Sequence, residues 1–251
     1  MKPLYFFQRP PRLEPTRLPH RFGGSSEEVA LALDHLSLAN RYFGGTQSLL
    51  HPMRQLLAPH RGDHLRVLDV GCGRADTPRA LVTWARRTGL DLSVVAVDQD
   101  PDVVRHAAAA SQAFPEIQIV RGDALQLPFR PGSFDYVFSA MLLHYFSSDE
   151  AVAVLRSWGT LSSRALLASD VERHWFPCLA IPLLAKISKS SLFREGSRRT
   201  VLRGFTPEEM AWLAGQAGFA SPSVRRYFPF RLALVGWRDE PDPGRRAPRQ
   251  W

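Results

Sequence analysis

The stretch Val67-Leu68-Asp69-Val70-Gly71-Cys72-Gly73-Arg74-Ala75-Asp76 reads as an apolar strand, an acid at its carboxyl end, a glycine-rich turn and a helix start. Glycines at such a turn let the backbone reverse sharply and let a ligand approach it closely. The next strand repeats the pattern, because Val94-Val95-Ala96-Val97 ends in Asp98. An acid at the tip of a second strand suits the two hydroxyls of an adenosine ribose. A third strand, 117–120, leads to Gly122-Asp123-Ala124, whose carboxylate can accept a hydrogen bond from an adenine amino group. A fourth, 134–139, runs into Ala140-Met141-Leu142-Leu143-His144-Tyr145. Four successive strands thus carry small or polar residues at their carboxyl ends, where open α/β sheets bind ligands.

Outward from this centre, strands at 65–70, 92–97, 117–120, 134–139 and 165–168 alternate with helices at 78–88, 101–113 and 149–158. Such alternation builds a parallel sheet with helices on both faces. The end differs. Thr206-Pro207-Glu208-Glu209 is a helix entry with a capping threonine, a proline at the first position and a capping-box acid. Strands 223–227 and 230–235 follow, split by Phe228-Pro229, a connection too short for a crossover, so they pair antiparallel. Upstream, Ser26 caps a helix carrying Val29, Leu33 and Leu36 on one face, and a second helix runs through Leu49, Met53 and Leu57.

This ordered set resembles the class I S-adenosylmethionine-dependent methyltransferases, most of all the small-molecule enzymes of the ubiquinone and menaquinone biosynthesis type. The resemblance covers residues 65–237, with weaker similarity over 36–57. It implies an α/β, Rossmann-like sheet of seven strands, mostly parallel with the last antiparallel, helices on both faces and a helical N-terminal cover. It implies S-adenosylmethionine as cofactor and S-adenosylhomocysteine as product. Asp69, Gly71, Cys72 and Gly73 would shape the pocket for the methionine part, Asp98 with Gln99 would hold the ribose, and Asp123 with the amide of Ala124 would hold the adenine. Ser139 lies on the cofactor side of the following gap. Arg41, Tyr42, Met141, Tyr145 and Trp175 would face the acceptor. The implied activity is in-line methyl transfer to oxygen or carbon of a small apolar or aromatic molecule.

Several residues carry two readings. Asp98-Gln99-Asp100-Pro101 also makes a good helix entry, although the glycine turn one strand earlier favours the ribose role for Asp98. Gly122-Asp123 also makes an ordinary turn. His144 is the histidine in the expected cleft and can take a proton near neutral pH, or it can simply pack. Cys72 between glycines reads as packing rather than as a nucleophile. Where the family usually has glycine, this chain has Ala75, which is strained if the position needs a positive φ. The other histidines have no ligand spacing and Cys72 and Cys178 have no partners, so no metal is expected. A dinucleotide fingerprint would want glycine or alanine where Asp76 stands, and that acid would repel a pyrophosphate, which argues against a nicotinamide oxidoreductase.

The chain has 251 residues and a formal charge of +8, with 45% hydrophobic residues, enough to bury a sizeable core. The charge is uneven: residues 1–26 carry +4 and 171–204 carry +5, whereas 61–170 carry −2. Phosphate-tracking surfaces usually spread basic residues over the folded core, so nucleic acid is not an expected partner. An RNA-associated enzyme and a non-catalytic S-adenosylmethionine-fold protein stand as the alternatives. Residues 1–26 and 238–251, rich in proline and arginine, read as flexible tails around one domain, 27–237, with 27–60 as its helical cover. Residues 171–204 read as a lid insertion over the acceptor site, with a basic rim suited to weak contact with an anionic membrane surface. Two cysteines and the lack of an apolar run of about 18 residues give a cytoplasmic expectation. The oligomeric state is not legible.

Overall fold

The computed structural model describes residues 10–15, 26–42, 44–179 and 199–237. Seven strands form one sheet: β1 (His64–Val70), β2 (Asp91–Asp98), β3 (Ile117–Arg121), β4 (Phe134–Ala140), β5 (Ser162–Val171), β6 (Ser223–Tyr227) and β7 (Arg231–Trp237). Their order is β3-β2-β1-β4-β5-β7-β6. The first five run parallel, whereas β7 lies antiparallel to both β5 and β6. The expected sheet, with its antiparallel last strand, is therefore present. Parallel strands all end on one edge, so the loops after β1 to β5 converge there.

The helices are α1 (Ser26–Tyr42), α2 (Gly45–Leu57), α3 (Asp76–Thr88), α4 (Pro101–Ala110), α5 (Ser148–Leu161) and α6 (Pro207–Gln216), with a 3₁₀ turn at Leu143–Tyr145. Short helical stretches cover 175–179 and 199–203. The alternation in the strands sorts the core into two layers. Val67, Tyr136, Phe138 and Leu167 face Leu50, Met53, Leu57, Leu81 and Val82 of α2 and α3. Leu68, Val70, Val137 and Leu166 face Val154, Leu155 and Trp158 of α5 and Met210 and Leu213 of α6. Trp158 is fully buried and its indole N–H donates to Ala124 O at 2.8 Å, so one side chain ties α5 to the loop after β3. α1 packs on α4 through Val29, Leu33 and Val103.

Helix entries follow the sequence. Thr206 and Glu209 form the capping box of α6, with Pro207 in its first turn. Ser147 and Glu150 form one for α5. Several boundaries shift by one to three residues, and two of the shifts have a visible cause. α4 stops at Ala110, three residues early, where Ser111 closes it with a turn. β5 runs from 162 to 171 because β4 and β7 pair with it on either side, so its polar ends are also held in the sheet.

Residues 10–15, within the stretch read as a flexible tail, contact the folded body. The Arg12 guanidinium lies 4.0 Å from the Phe205 ring centroid and donates to Arg203 O at 2.8 Å and Phe146 O at 2.7 Å. The Leu13 amide donates to Leu202 O at 3.0 Å, Ser148 Oγ donates to Glu14, and Pro10 O accepts from Arg173. This strap satisfies carbonyls that the ends of two short helical segments leave open. The rest of 1–25, 180–198 within the expected lid, and 238–251 lie outside the described residues. Substituting Arg12→Ala removes a cation–π contact and two charge-assisted hydrogen bonds. It should lower the urea unfolding free energy by about 2 kcal/mol and speed amide exchange at 145 and 146.

Candidate functional site

The turn after β1 is pinned to the neighbouring strand. The amides of Gly71 and Cys72 both donate to Val97 O, at 2.8 and 2.9 Å. Gly71 has φ 75°, and a Cβ there would sit 2.7 Å from Leu142 Cδ2, so only glycine lets the loop after β4 close over the turn. Gly73 has φ 52° and faces open space, which leaves backbone available to a ligand. Ala75 also takes the left-handed conformation, φ 58°, and is fully buried. Its strain is of order 1 kcal/mol. Burial of its methyl returns about 0.8 kcal/mol, so Ala75→Gly should be close to neutral in chemical denaturation. The Cys72 thiol is buried, and burial together with the charges of Asp69 and Asp98 pushes its pKa well up, so it packs rather than reacts.

Three acids mark the strand tips. Asp98 Oδ2 accepts from the Gly73 amide at 3.0 Å and Oδ1 from the Asp100 amide at 3.1 Å. The helix cap of α4 is Asp100, not Asp98. Burial raises the Asp98 carboxyl despite these bonds. Asp69 is buried, and no side-chain hydrogen bond or ion pair holds its carboxylate among the described residues. Burial, and then the charge of Asp98, push its pKa well above the usual range. Asp123 is exposed and closes a turn by accepting from the Leu125 amide at 2.9 Å, with Ala124 beside it. The Gly122 amide donates to Asp98 O at 3.0 Å, which brings the second and third strand tips together. Gln99 follows Asp98 and its carbonyl accepts from Arg121.

Beyond β4 the backbone bends. Met141 has φ 58° and its amide donates to Ser169 O at 2.7 Å. Ser139 is buried and its hydroxyl donates to Val70 O at 2.8 Å, tying β4 to β1. His144 is 2% exposed. Its Nδ1 lies 2.7 Å from Asp170 Oδ1 and its amide donates to Asp170 Oδ2 at 2.9 Å. Asp170, at the end of β5, is completely buried. Burial alone would raise its carboxyl, but the charge and hydrogen bonds of His144 and the Val171 amide outweigh that and hold it low. The Tyr145 ring lies 4.2 Å from the His144 ring, and burial followed by the charge of Asp170 raises its phenol. Arg231 of β7 contacts Met141 Sδ and lies near Asn40 Oδ1, and burial lowers its pKa to about 10. Ser48 and Ser169 share a 2.6 Å hydrogen bond between α2 and β5.

The structure thus packs Tyr145 on His144, while Leu142, which follows Met141, closes over the glycine turn. Tyr42, 74% exposed, and Trp175, 39% exposed, lie outside that cluster. Trp175 belongs to an aromatic group in which His174 and Phe176 pack on Phe230 at 5.1 and 5.5 Å. The side chain of Arg41 lies outside the described residues. The sequence reading missed Asp170 and Arg231. Asp170 follows an apolar strand as Asp69 and Asp98 do, so the same strand-tip rule applied to β5 finds it. Nothing local marks Arg231. Among the described residues no group of histidine, cysteine, aspartate or glutamate could hold a metal, and no helix is long and apolar enough to cross a membrane.

Asp69 sets a pH signature. Its raised pKa means the folded chain holds a proton that the unfolded chain has released. Its contribution to stability is therefore full below the usual carboxylate pKa and is lost as pH rises through the folded value. Thermal melting of the ligand-free protein should show this decline, and Asp69→Asn should remove it.

Residues 67–162 match the family model described as a methyltransferase domain. The demethylmenaquinone methyltransferase of Staphylococcus saprophyticus is 28% identical over 174 residues, covering 64% of this chain and 73% of the relative. The phthiotriol/phenolphthiotriol dimycocerosates methyltransferase of Mycobacterium leprae is 29% identical over 179 residues, covering 68% of this chain and 58% of the relative. The crystal structure of magnesium protoporphyrin IX methyltransferase from Synechocystis PCC 6803 with bound S-adenosylhomocysteine superposes with a TM-score of 0.57 at 20% identity, over 78% of this chain and 84% of that one. With its strand order, its pinned glycine turn and its matched stretch, the chain carries a methyltransferase domain over residues 67–162 within the fold of the class I S-adenosylmethionine-dependent methyltransferases.

Proposed function

We propose that this chain methylates a small apolar or aromatic molecule at oxygen or carbon. The observation that carries the reading is the buried acid pair beside the glycine turn. Asp69 and Asp98 repel one another, and the Asp69 carboxylate has no cationic partner among the described residues. A ligand bearing positive charge relieves that repulsion, and S-adenosylmethionine carries an ammonium and a sulfonium. Gly71, Cys72 and Gly73 would hold its methionine part with Asp69, Asp98 and Gln99 its ribose, and Asp123 with Ala124 its adenine. Bound there, it supplies an electrophilic methyl group open to in-line attack.

The chain's own residues then have to orient the acceptor and keep water out. Leu142 closes over Gly71, and α2 packs against the sheet through Leu49, Leu50 and Met53. Met141 and Tyr145 would face the acceptor from the loop after β4. The aromatic group of Trp175, Phe176 and Phe230 offers an apolar wall, which fits relatives named for demethylmenaquinone and phthiotriol dimycocerosates. Membrane-surface contact through 171–204 is compatible with such an acceptor, and 180–198 lies outside the described residues.

Isothermal calorimetry with S-adenosylhomocysteine tests the cofactor site. The wild-type chain should bind at one site, and Asp98→Ala should weaken binding at least about tenfold, roughly 1.4 kcal/mol. Affinity for S-adenosylmethionine should rise with pH as Asp69 ionises, and Asp69→Asn should flatten that rise. No heat with the wild-type chain, or an Asp98→Ala variant indistinguishable from it, overturns the reading.

A further inference from the structure

Among the described residues, half of the large apolar side chains that stand exposed gather at one corner. They are Tyr42, Trp175, Phe176, Leu179 at 70% exposure and Phe228 at 92%. Phe176 packs on the Phe230 ring at 5.5 Å, Trp175 meets Phe176 edge-on at 5.8 Å, and Leu179 lies one helical turn beyond Trp175. The Glu172 amide donates to Phe230 O at 2.8 Å, which fixes this segment beside the turn between β6 and β7. Gly44, two residues after Tyr42, lies against the same turn, because a Cβ there would sit 2.6 Å from Phe228 O. Three segments far apart in sequence therefore present apolar side chains at one place. Scattered exposed apolar residues are ordinary, whereas a contiguous group marks an interaction surface.

Position and charge say what covers it. Arg231 follows Phe230 and contacts Met141 Sδ, so the corner borders the loop after β4. Residues 171–179 and 223–231 expose no acid: Glu172, the acid among them, is 4% exposed and accepts from Arg226 Nε at 2.9 Å. Arg225 and Arg226 precede the turn, and the stretch 171–204 carries seven basic and two acidic side chains. A symmetric dimer through this corner would set that positive charge against itself. An anionic lipid surface complements it, with phosphates for the guanidinium groups and an apolar boundary for the rings. The shape agrees. Phe228 protrudes from the tip of a two-stranded turn, and Pro229 beside it has no N–H to strip of water.

We propose that this corner is a membrane-docking face, in which Phe228, Trp175, Phe176 and Leu179 enter the boundary between headgroups and acyl chains of an anionic bilayer and Arg225 and Arg226 meet its phosphates. Docked in this way, the loop after β4 lies beside the bilayer, and an apolar acceptor reaches it without passing through water. That use of the face rests on the methyltransferase reading above, whereas the docking itself does not.

Flotation of the full chain with lipid vesicles tests the proposal. Vesicles of phosphatidylcholine and phosphatidylglycerol in equal parts should bind the chain at least about tenfold more tightly than pure phosphatidylcholine, and added salt should weaken that preference. Phe228→Ser should cut binding to the mixed vesicles by about tenfold, and Phe228→Trp should retain it. The ring is almost fully exposed, so both variants should melt with the wild type. Brominated acyl chains should quench tryptophan emission, and Trp175→Phe should remove most of the quenching although Trp175 is one of six tryptophans. No binding to the mixed vesicles, binding that Phe228→Ser leaves unchanged, or quenching that survives Trp175→Phe overturns the proposal. So does self-association in sedimentation velocity that Phe228→Ser abolishes, which makes a second copy the occupant. Calorimetry with S-adenosylhomocysteine separates the two readings: vesicle binding with no heat fails the methyltransferase reading alone, and heat without vesicle binding fails the docking alone.

Discussion

A parallel sheet ends its strands on one edge, and in this chain that edge gathers buried carboxyl groups. Asp98 is the last residue of β2, and Asp69 and Asp170 stand one residue before the ends of β1 and β5. Burying a carboxylate is costly unless something compensates it. Each of the three is treated differently. Asp98 is met by two backbone amides. Asp170 is met by two amides and an imidazole. Among the described residues Asp69 is met by no such partner. The three therefore differ: two carboxyls are compensated by the chain's own donors, and burial together with the neighbouring Asp98 favours the protonated form of Asp69.

The glycine turn couples these acids to the backbone. Because Gly71 and Cys72 both donate to Val97, the turn after β1 cannot move without β2. Because Gly73 donates to Asp98, the same turn also orients a carboxylate. Met141 and Ala75, two residues outside glycine's usual monopoly on positive φ, flank this region on opposite sides. Strain of that kind persists only where surrounding structure over-determines it. Here the Met141 amide bond to Ser169 and the complete burial of Ala75 provide the restraint.

Much of this was legible in the sequence because it is local. The apolar run of 67–70, the glycines after it and the acids at 69 and 98 lie within one or two elements of each other. The capping box of Thr206 and Glu209 spans three residues. The residues that escaped notice act over distance. His144 meets Asp170 across 26 positions, and Arg231 belongs to a strand that returns from the far end of the chain. Arg12 looked like one more charge in a proline-rich stretch, since nothing near it announces the Phe205 ring or the Phe146 carbonyl. Asp98 shows the intermediate case: it was recognised as an acid at a strand tip, while its amide partners depend on how the neighbouring turn folds.

The strap at residues 10–15 bears on the order in which the molecule assembles. Arg12 reaches Arg203 across 191 positions of sequence. Contacts that distant close late, after the loop entropy has been reduced by the strands between them. The Phe146 carbonyl, one residue beyond the His144–Tyr145 pair, is among the groups the strap holds. Loop-closure entropy therefore favours forming the central sheet and cofactor turn before residues 10–15 brace the corner carrying His144.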